Sequence, residues 1–239
     1  MGLIRRRWVI LVAAVATAGL CARLGVWQLD RAAQKNAMQA ALESRQRLPA
    51  LAESELGSTP QAAADQYGRP IVVHGRWRAD ATVYLDNRQM NGHPGFFVLT
   101  PLVLADGSAV EIQRGWLARD FDDRRRITEP PTPKGEVAVA GRIAPPPARL
   151  FDFGGAASGP IRQNLDLVAF GTEVGLRLRP LSIVQEDGPS TAADGLLREW
   201  PQPGATSATN YGYAFQWFSF ATLIAGLYVW FQLIRPRRG

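Results

Sequence analysis

Cysteine and histidine are nearly missing from this chain: its 239 residues hold one of the former, Cys21, and two of the latter, His74 and His93. Cys21 lies in an apolar run, which excludes disulfide staples, CxxC redox pairs and cysteine metal sites from the rest of the chain. The histidines sit in a strand-like stretch and a turn-like one, and neither is spaced to share a metal with a nearby ligand. Absent too are the GxSxG elbow, the HExxH helix, the P-loop and the dinucleotide glycine pattern. Carboxylates are plentiful, but no pair stands out from a solvated background. This inventory offers no catalytic residue and no metal centre, and it points away from an enzyme.

Negative charge is missing from both ends. All 21 acidic residues fall between Asp30 and Glu199, and no residue from Trp200 to Ile234 carries charge of either sign. Within that stretch Phe215 to Ile234 is apolar enough to cross a bilayer, since twenty residues rising about 1.5 Å each cover about 30 Å. A buried core helix seldom stays uncharged on every face for so long. Tyr211, Tyr213, Trp217 and Trp230 suit an interfacial aromatic belt, and Arg235, Arg237 and Arg238 follow at once. A second run, Trp8 to Leu29, is interrupted only by Arg23 and follows Arg5, Arg6 and Arg7. Trp8 and Trp27 are nineteen residues apart, about 28 Å on a helix, so their indoles suit opposite interfaces. The basic start, apolar run and Ala16 to Ala18 also fit a cleaved signal peptide.

Arginines outside each span place both termini in the cytoplasm and the middle of the chain outside it. Setting aside those six and Arg23 leaves 20 basic residues against the 21 acidic ones, so the middle is close to neutral. The formal charge of +6 is an orientation signal and gives no reason to expect nucleic acid. The expected organisation is a basic cytoplasmic start (1–7), a span (8–29), an outer domain (30–210), a second span (211–234) and a basic cytoplasmic end (235–239).

Gln28 to Arg47 reads as a helical continuation of the first span, stopping before Pro49, and Leu51 to Leu56 holds at most another helical turn or two. Strands are expected at Ile71 to Trp77, Thr82 to Asn87, Phe96 to Leu104, Ser108 to Trp116, Glu136 to Ile143 and Leu181 to Gln185. Asn91-Gly92 and Asp106-Gly107 are turn signals, the latter predicting a tight hairpin with a primed turn. Asp166 is placed to cap a short helix to Glu173 that Gly175 closes. Gly154 to Gly159 reads as loop, and Arg124 to Arg126 as a solvated run neutralised by neighbouring aspartates. The fold class is thus membrane α+β: two transmembrane helices flank one largely antiparallel sheet, with curling into a barrel left open.

Three clusters stand out, each with an ordinary structural account. Leu24 to Lys35 suits interfacial anchoring, Tyr84 to Leu102 suits a strand-end turn with an Asp–Arg pair, and Arg114 to Trp116 suits a packed strand end. Together, in this order and between two spans, they resemble the surfeit locus protein 1 family of cytochrome c oxidase assembly factors. The resemblance covers nearly the whole chain. It rests on LGVWQLDRAAQK from Leu24, YLDNRQMNGHPGFFVLTPL from Tyr84, RGW at Arg114 to Trp116 and YAFQWF from Tyr213.

The resemblance implies a factor that helps assemble a haem-copper (aa3-type) cytochrome c oxidase, through haem a insertion into subunit I or stabilisation of that subunit. It also implies subunit I and haem a synthase as partners, and a transient haem a as cofactor. A haem-independent scaffold that docks on subunit I is the alternative. The short N-terminus, without an Arg- and Ser-rich presequence, points to a bacterial inner membrane. The implied cofactor-binding residues are Trp27, Gln28, Arg31, Asn210, Tyr213 and Trp217, at the mouth of the two spans. The implied partner-binding residues are Tyr84, Asp86, Asn87, Arg88, Gly95, Arg114, Gly115 and Trp116. One departure matters: the family pattern entering the second span is Asn-His-Leu-x-Tyr-Ala, whereas here Asn210 falls at the place of the histidine. Asparagine is not a usual haem-iron ligand, which leaves Tyr211, Tyr213, Cys21 or a distant histidine as candidate ligands, or a haem held without ligation by apolar walls with Arg23 or Arg31 near its propionates.

Overall fold

Long charge-poor runs rich in Ala, Leu and Val favour continuous helix, and they form it here. In the computed structural model, which describes residues 2–120, 127–151, 159–188, 191, 194–200 and 207–235, α1 runs unbroken over Gly2–Gln46. Near the other end α4, Ser207–Val229, continues into a π-helical turn at Trp230–Ile234. Both helices are long and apolar enough to cross a membrane. The chain divides into two units, Met1–Ala41 with Gln202–Gly239, and Leu42–Pro201. Arg124 to Arg126, residues 154–158 of the expected glycine-rich loop, and Arg237 and Arg238 lie outside the described residues.

The second unit is built on seven strands. These are β1 (Pro70–Trp77), β2 (Val83–Met90), β3 (His93–Leu104), β4 (Ala109–Ala118), β5 (Glu136–Ala144), β6 (Ile161–Arg162) and β7 (Leu178–Gln185). They pair in the order β1-β5-β7-β4-β3-β2-β6, and a further β1–β3 pairing closes a five-stranded ring, β1-β5-β7-β4-β3. Closure depends on the length of β3. Its first half pairs with β2 from Val83↔Leu99 to Met90↔His93, and its last residues pair with β1 from Trp77↔Leu102 to Gly75↔Leu104. All pairings are antiparallel except β4 with β7 and β2 with β6.

Alternation along the strands sends one set of aliphatic side chains to a common core. Ile71 and Val73 of β1, Leu102 and Leu104 of β3, Val110 and Ile112 of β4, Val139 and Ile143 of β5, and Leu181 and Ile183 of β7 form it. Each such side chain contributes about 1.5–3 kcal/mol on burial, against about 0–1 kcal/mol for an exposed ion pair, so this core dominates the stability of the unit. A second cluster joins Val83, Leu85 and Leu99 to Leu167 and Phe170 of α3 (Leu167–Val174). As expected, Asp166 caps α3 through Val168 N and Ala169 N, and Gly175 ends it in the left-handed conformation.

Four local expectations are corrected. The primed two-residue turn lies at Asn91-Gly92, where both residues have positive φ (51° and 79°), and not at Asp106-Gly107. There β3 and β4 are joined by Ala105 to Ser108, with Gly107 alone left-handed and its N–H on Leu104 O at 3.1 Å. His93 accordingly begins a strand, and β2 continues past Asn87 to Met90 through a bulge between Leu85 and Arg88. A short helix, α2 (Pro60–Gln66), occupies a stretch that offers little periodicity; Pro60 at its first turn and Thr59, whose side chain accepts from Ala62 N, start it. Finally β6 is a two-residue strand with no propensity signal of its own, recruited by Tyr84 and Leu85.

Candidate functional site

Each unit contains one set of the residues singled out in the sequence. In the helical unit, small side chains let α1 and α4 approach: Cys21, Ala32 and Ala214 are buried, and the Phe218 ring lies against Gly25. A row of polar side chains crosses the same seam. Asn210 Nδ2 donates to Gln28 Oε1 at 2.6 Å, Lys35 Nζ donates to Asn210 Oδ1 at 2.8 Å, and Asn36 Nδ2 donates to Tyr211 Oη at 3.1 Å. Both ends of the Asn210 amide are therefore engaged. Arg31 lies 5.9 Å from the centre of the Trp27 ring, Trp217 meets Phe220 edge to face at 6.1 Å, and Tyr213 is half exposed. The structure thus joins Gln28 to Asn210, and adds Lys35, which belongs to the first cluster but not to the expected cofactor set. The seven-residue spacing of Gln28 and Lys35, two turns of one helical face, is the signal for it. Asn210 itself does not suit axial ligation of a haem: it carries an amide, and that amide is occupied by protein partners.

In the sheet unit, the second and third clusters converge on Trp116 of β4. Its indole N–H donates to Arg88 O at 3.0 Å. Its backbone exchanges two hydrogen bonds with Leu197, at 2.7 and 2.9 Å. The glycines make room for these contacts. A Cβ on Gly95 would run into the Trp116 ring and Leu117 O, and one on Gly115 would lie 2.6 Å from Leu196 Cβ. Glycine at both positions is a packing requirement.

Three arginines reinforce the same end. Buried Arg88 donates to Gln163 O at 3.0 Å and lies 5.8 Å from the Phe97 ring centre. Buried Arg114 donates to Thr132 Oγ1 at 2.9 Å and Pro131 O at 2.7 Å, over the Trp77 ring. Burial lowers the pKa of both. Asp86 pairs with Arg119, 33 residues on, and not with Arg88 as a local Asp–Arg pair requires. Its Oδ1 also accepts the N–H of Asn87, at 2.6 Å, which helps hold Asn87 in the left-handed region at φ 59°. Tyr84 is buried; desolvation and then the charge of Glu129 raise its pKa, while Arg114 acts against them.

The strap Asp194 to Trp200 was not foreseen as part of the site. Besides the Leu197 bridge, Asn91 Nδ2 donates to Glu199 Oε2 at 2.6 Å, Trp200 meets Phe97 edge to face at 5.2 Å, and Trp200 Nε1 donates to Gln185 O at 2.9 Å. Buried Arg198 is held by Asp194 and Asp187. Above this fixed base Asn87, Gln89, the turn Asn91-Gly92 and the first two residues of β3, His93 and Pro94, are exposed. Of the expected partner residues, then, Asn87 is free to meet another molecule, Asp86 is half-buried, and the other six are internal supports.

A family model described as the SURF1 family matches residues 15–222. Cytochrome oxidase assembly protein SHY1 of Saccharomyces cerevisiae is 28% identical over 130 residues, which are 53% of this chain and 33% of the yeast protein. The match therefore spans about a third of that relative. SURF1-like proteins of Rickettsia felis and Rickettsia bellii are each 22% identical, over 86% of this chain and 89% and 83% of their own lengths.

Proposed function

The chain belongs to the SURF1 family, and from that premise we propose that it is a membrane-anchored assembly factor for an aa3-type cytochrome c oxidase, acting on subunit I. The name of the yeast relative supports the assembly role. The observation that carries the mode of action is the convergence on Trp116: residues from β2, β3, β4 and the 194–200 strap lock one end of the sheet and present an exposed hairpin over it. Such a preorganised surface suits docking, because little ordering entropy remains to be lost on contact. In this reading the sheet unit docks on subunit I, the helices lie in a bacterial inner membrane, both termini are cytoplasmic, and the domain between the spans is periplasmic.

Of the two ways such a factor acts, the Gln28–Asn210–Lys35 seam supports the haem-independent scaffold. The position at which the family pattern carries histidine serves here as a link between helices. Haem a held without ligation by the apolar faces of the spans is the competing form, and haem a synthase is a further partner in either.

Two measurements test this reading. Deleting the gene should lower assembled oxidase, and normal oxidase levels would overturn the assembly role. The full chain, purified in detergent from cells making haem a, should bring down subunit I with little haem a in its pyridine haemochrome spectrum. Stoichiometric haem a without subunit I would instead refute the scaffold form.

A further inference from the structure

Away from the Trp116 end, a cavity of about 420 Å³ opens beside the β3–β4 connection, lined by Ser54, Ser58, Asp106, Ser108, Arg177 and Arg179 among others. Its hydrogen-bonding capacity is one-sided. Asp106 Oδ1 accepts from Ser108 N (2.8 Å) and Ser108 Oγ (2.6 Å), and its Oδ2 accepts from Arg179 (2.9 Å). Arg179 is tied down by three bonds, to Ser108 Oγ, Leu56 O and Asp106. What remains are donors. Arg177 is exposed, forms no ion pair among the described residues and makes a single weak bond, 3.4 Å, to Asp106 O. The hydroxyls of Ser54 and Ser58 are exposed and have no partner among the described residues.

Charge points the same way. Asp106 is neutralised by Arg179, and its pKa is lowered, chiefly by the Ser108 hydroxyl, so the Arg177 charge is left over. Glu53, in an adjoining cavity of about 440 Å³ that shares Ser54, Asp106 and Arg179, turns its Oε2 to His74 N at 2.8 Å and His74 Nδ1 at 3.3 Å. A site whose own carboxylate, Asp106, is satisfied internally, and which offers the Arg177 guanidinium and two hydroxyls, matches a ligand that is rich in acceptors and negatively charged.

We propose that this cavity binds a phosphate group, with Arg177 as its charged contact and Ser54 and Ser58 as neutral donors. The group belongs either to free phosphate or to the headgroup of an anionic phospholipid. This site does not depend on the oxidase reading.

The test uses the full chain in neutral detergent, with inorganic phosphate titrated by calorimetry and phosphatidylglycerol retention followed by native mass spectrometry against phosphatidylcholine. Saturable phosphate binding, weakened roughly tenfold by Arg177→Ala and less by Ser58→Ala, is expected from loss of a charged and a neutral hydrogen bond. Phosphate that binds without displacing phosphatidylglycerol identifies the free anion. Phosphatidylglycerol retention that needs Arg177 and is displaced by phosphate identifies the headgroup. The proposal falls if neither probe binds saturably, or if both Arg177→Ala and the Ser54→Ala/Ser58→Ala pair bind as the wild type does with unchanged melting temperature.

Discussion

Replacing Glu111 by Gln should remove a large part of the pH dependence of the sheet unit's stability. Glu111 of β4 lies opposite Pro101 of β3 and Ser182 of β7, is fully buried, and has no hydrogen-bond partner for either carboxylate oxygen among the described residues. Burial alone pushes its pKa up from 4.5 to about 8. A carboxyl in such a place is protonated at neutral pH, because an unpaired buried charge costs more than a neutral acid. Between about pH 4.5, where the unfolded chain releases this proton, and about pH 8, where the folded chain does, the folded state holds one proton more. The Glu111 contribution is fully present below that window and is lost as the pH rises through it. At roughly 1.4 kcal/mol per pH unit the loss amounts to about 5 kcal/mol. Gln keeps the shape and removes the titration. Thermal unfolding of the full chain in detergent, followed by near-ultraviolet circular dichroism across this range, should show the two proteins alike near the acid end. The wild type should then fall behind by roughly 10–20 °C near pH 8. Parallel curves for the two would refute the reasoning, by showing that Glu111 is ionised and paired in the folded state.

Trp116→Phe removes the indole donor from Arg88 O and should destabilise the sheet unit by about 1–3 kcal/mol, read from the denaturation midpoint. Arg198→Met leaves Asp194 nearly buried without its partner and should cost about 3–5 kcal/mol, much of it recovered in Arg198→Met/Asp194→Leu; no recovery would mean that the Asp187 contact matters more. Asn87→Gly suits the left-handed backbone, so its melting temperature should move by less than about 3 °C. If Asn87 meets subunit I, the same variant lowers co-purification of that subunit; unchanged co-purification excludes Asn87 from the contact.

Local chemistry was the legible part of the fold. Asn91-Gly92 and Asp106-Gly107 both mark turns, although the primed one is the former and not the latter, and Asp166 and Gly175 bound α3 because each satisfies the helix end it occupies. Curling into a barrel was an open option in the sequence, but the pairings that close it were not legible. Closure requires β3 to exchange β2 for β1 partway along, and it brings β4 beside β7 in parallel; neither pairing has a nearby turn to announce it. The site divides in the same way. The stretch from Tyr84 and the Arg-Gly-Trp stand out in sequence, but Asp86 reaches Arg119 rather than Arg88, and Leu197 reaches Trp116 across 81 positions of chain. The 194–200 strap has neither alternation nor helical period, because its backbone is anchored through side chains and a single bridge.

This division governs how variants of the protein are to be read. Gly95, Gly115, Trp116, Arg88 and Arg114 are buried, so if the protein assists oxidase assembly as proposed, substitutions there act on it through the fold even when none of them touches a partner. Loss of assembly in a Gly115 variant is equally expected of a docking surface and of a merely broken strap, since its Cβ would push into Leu196. Position 210 poses the converse problem. Its amide contributes to the helix seam through two hydrogen bonds, each worth about 0.5–1.5 kcal/mol. Asn210→His would therefore add an iron ligand while removing a helix contact, and haem uptake alone would not show what the native residue does. Only substitutions whose structural cost is small, Asn87→Gly in the sheet unit foremost, separate the proposed contact with the oxidase from support of the surface proposed to make it.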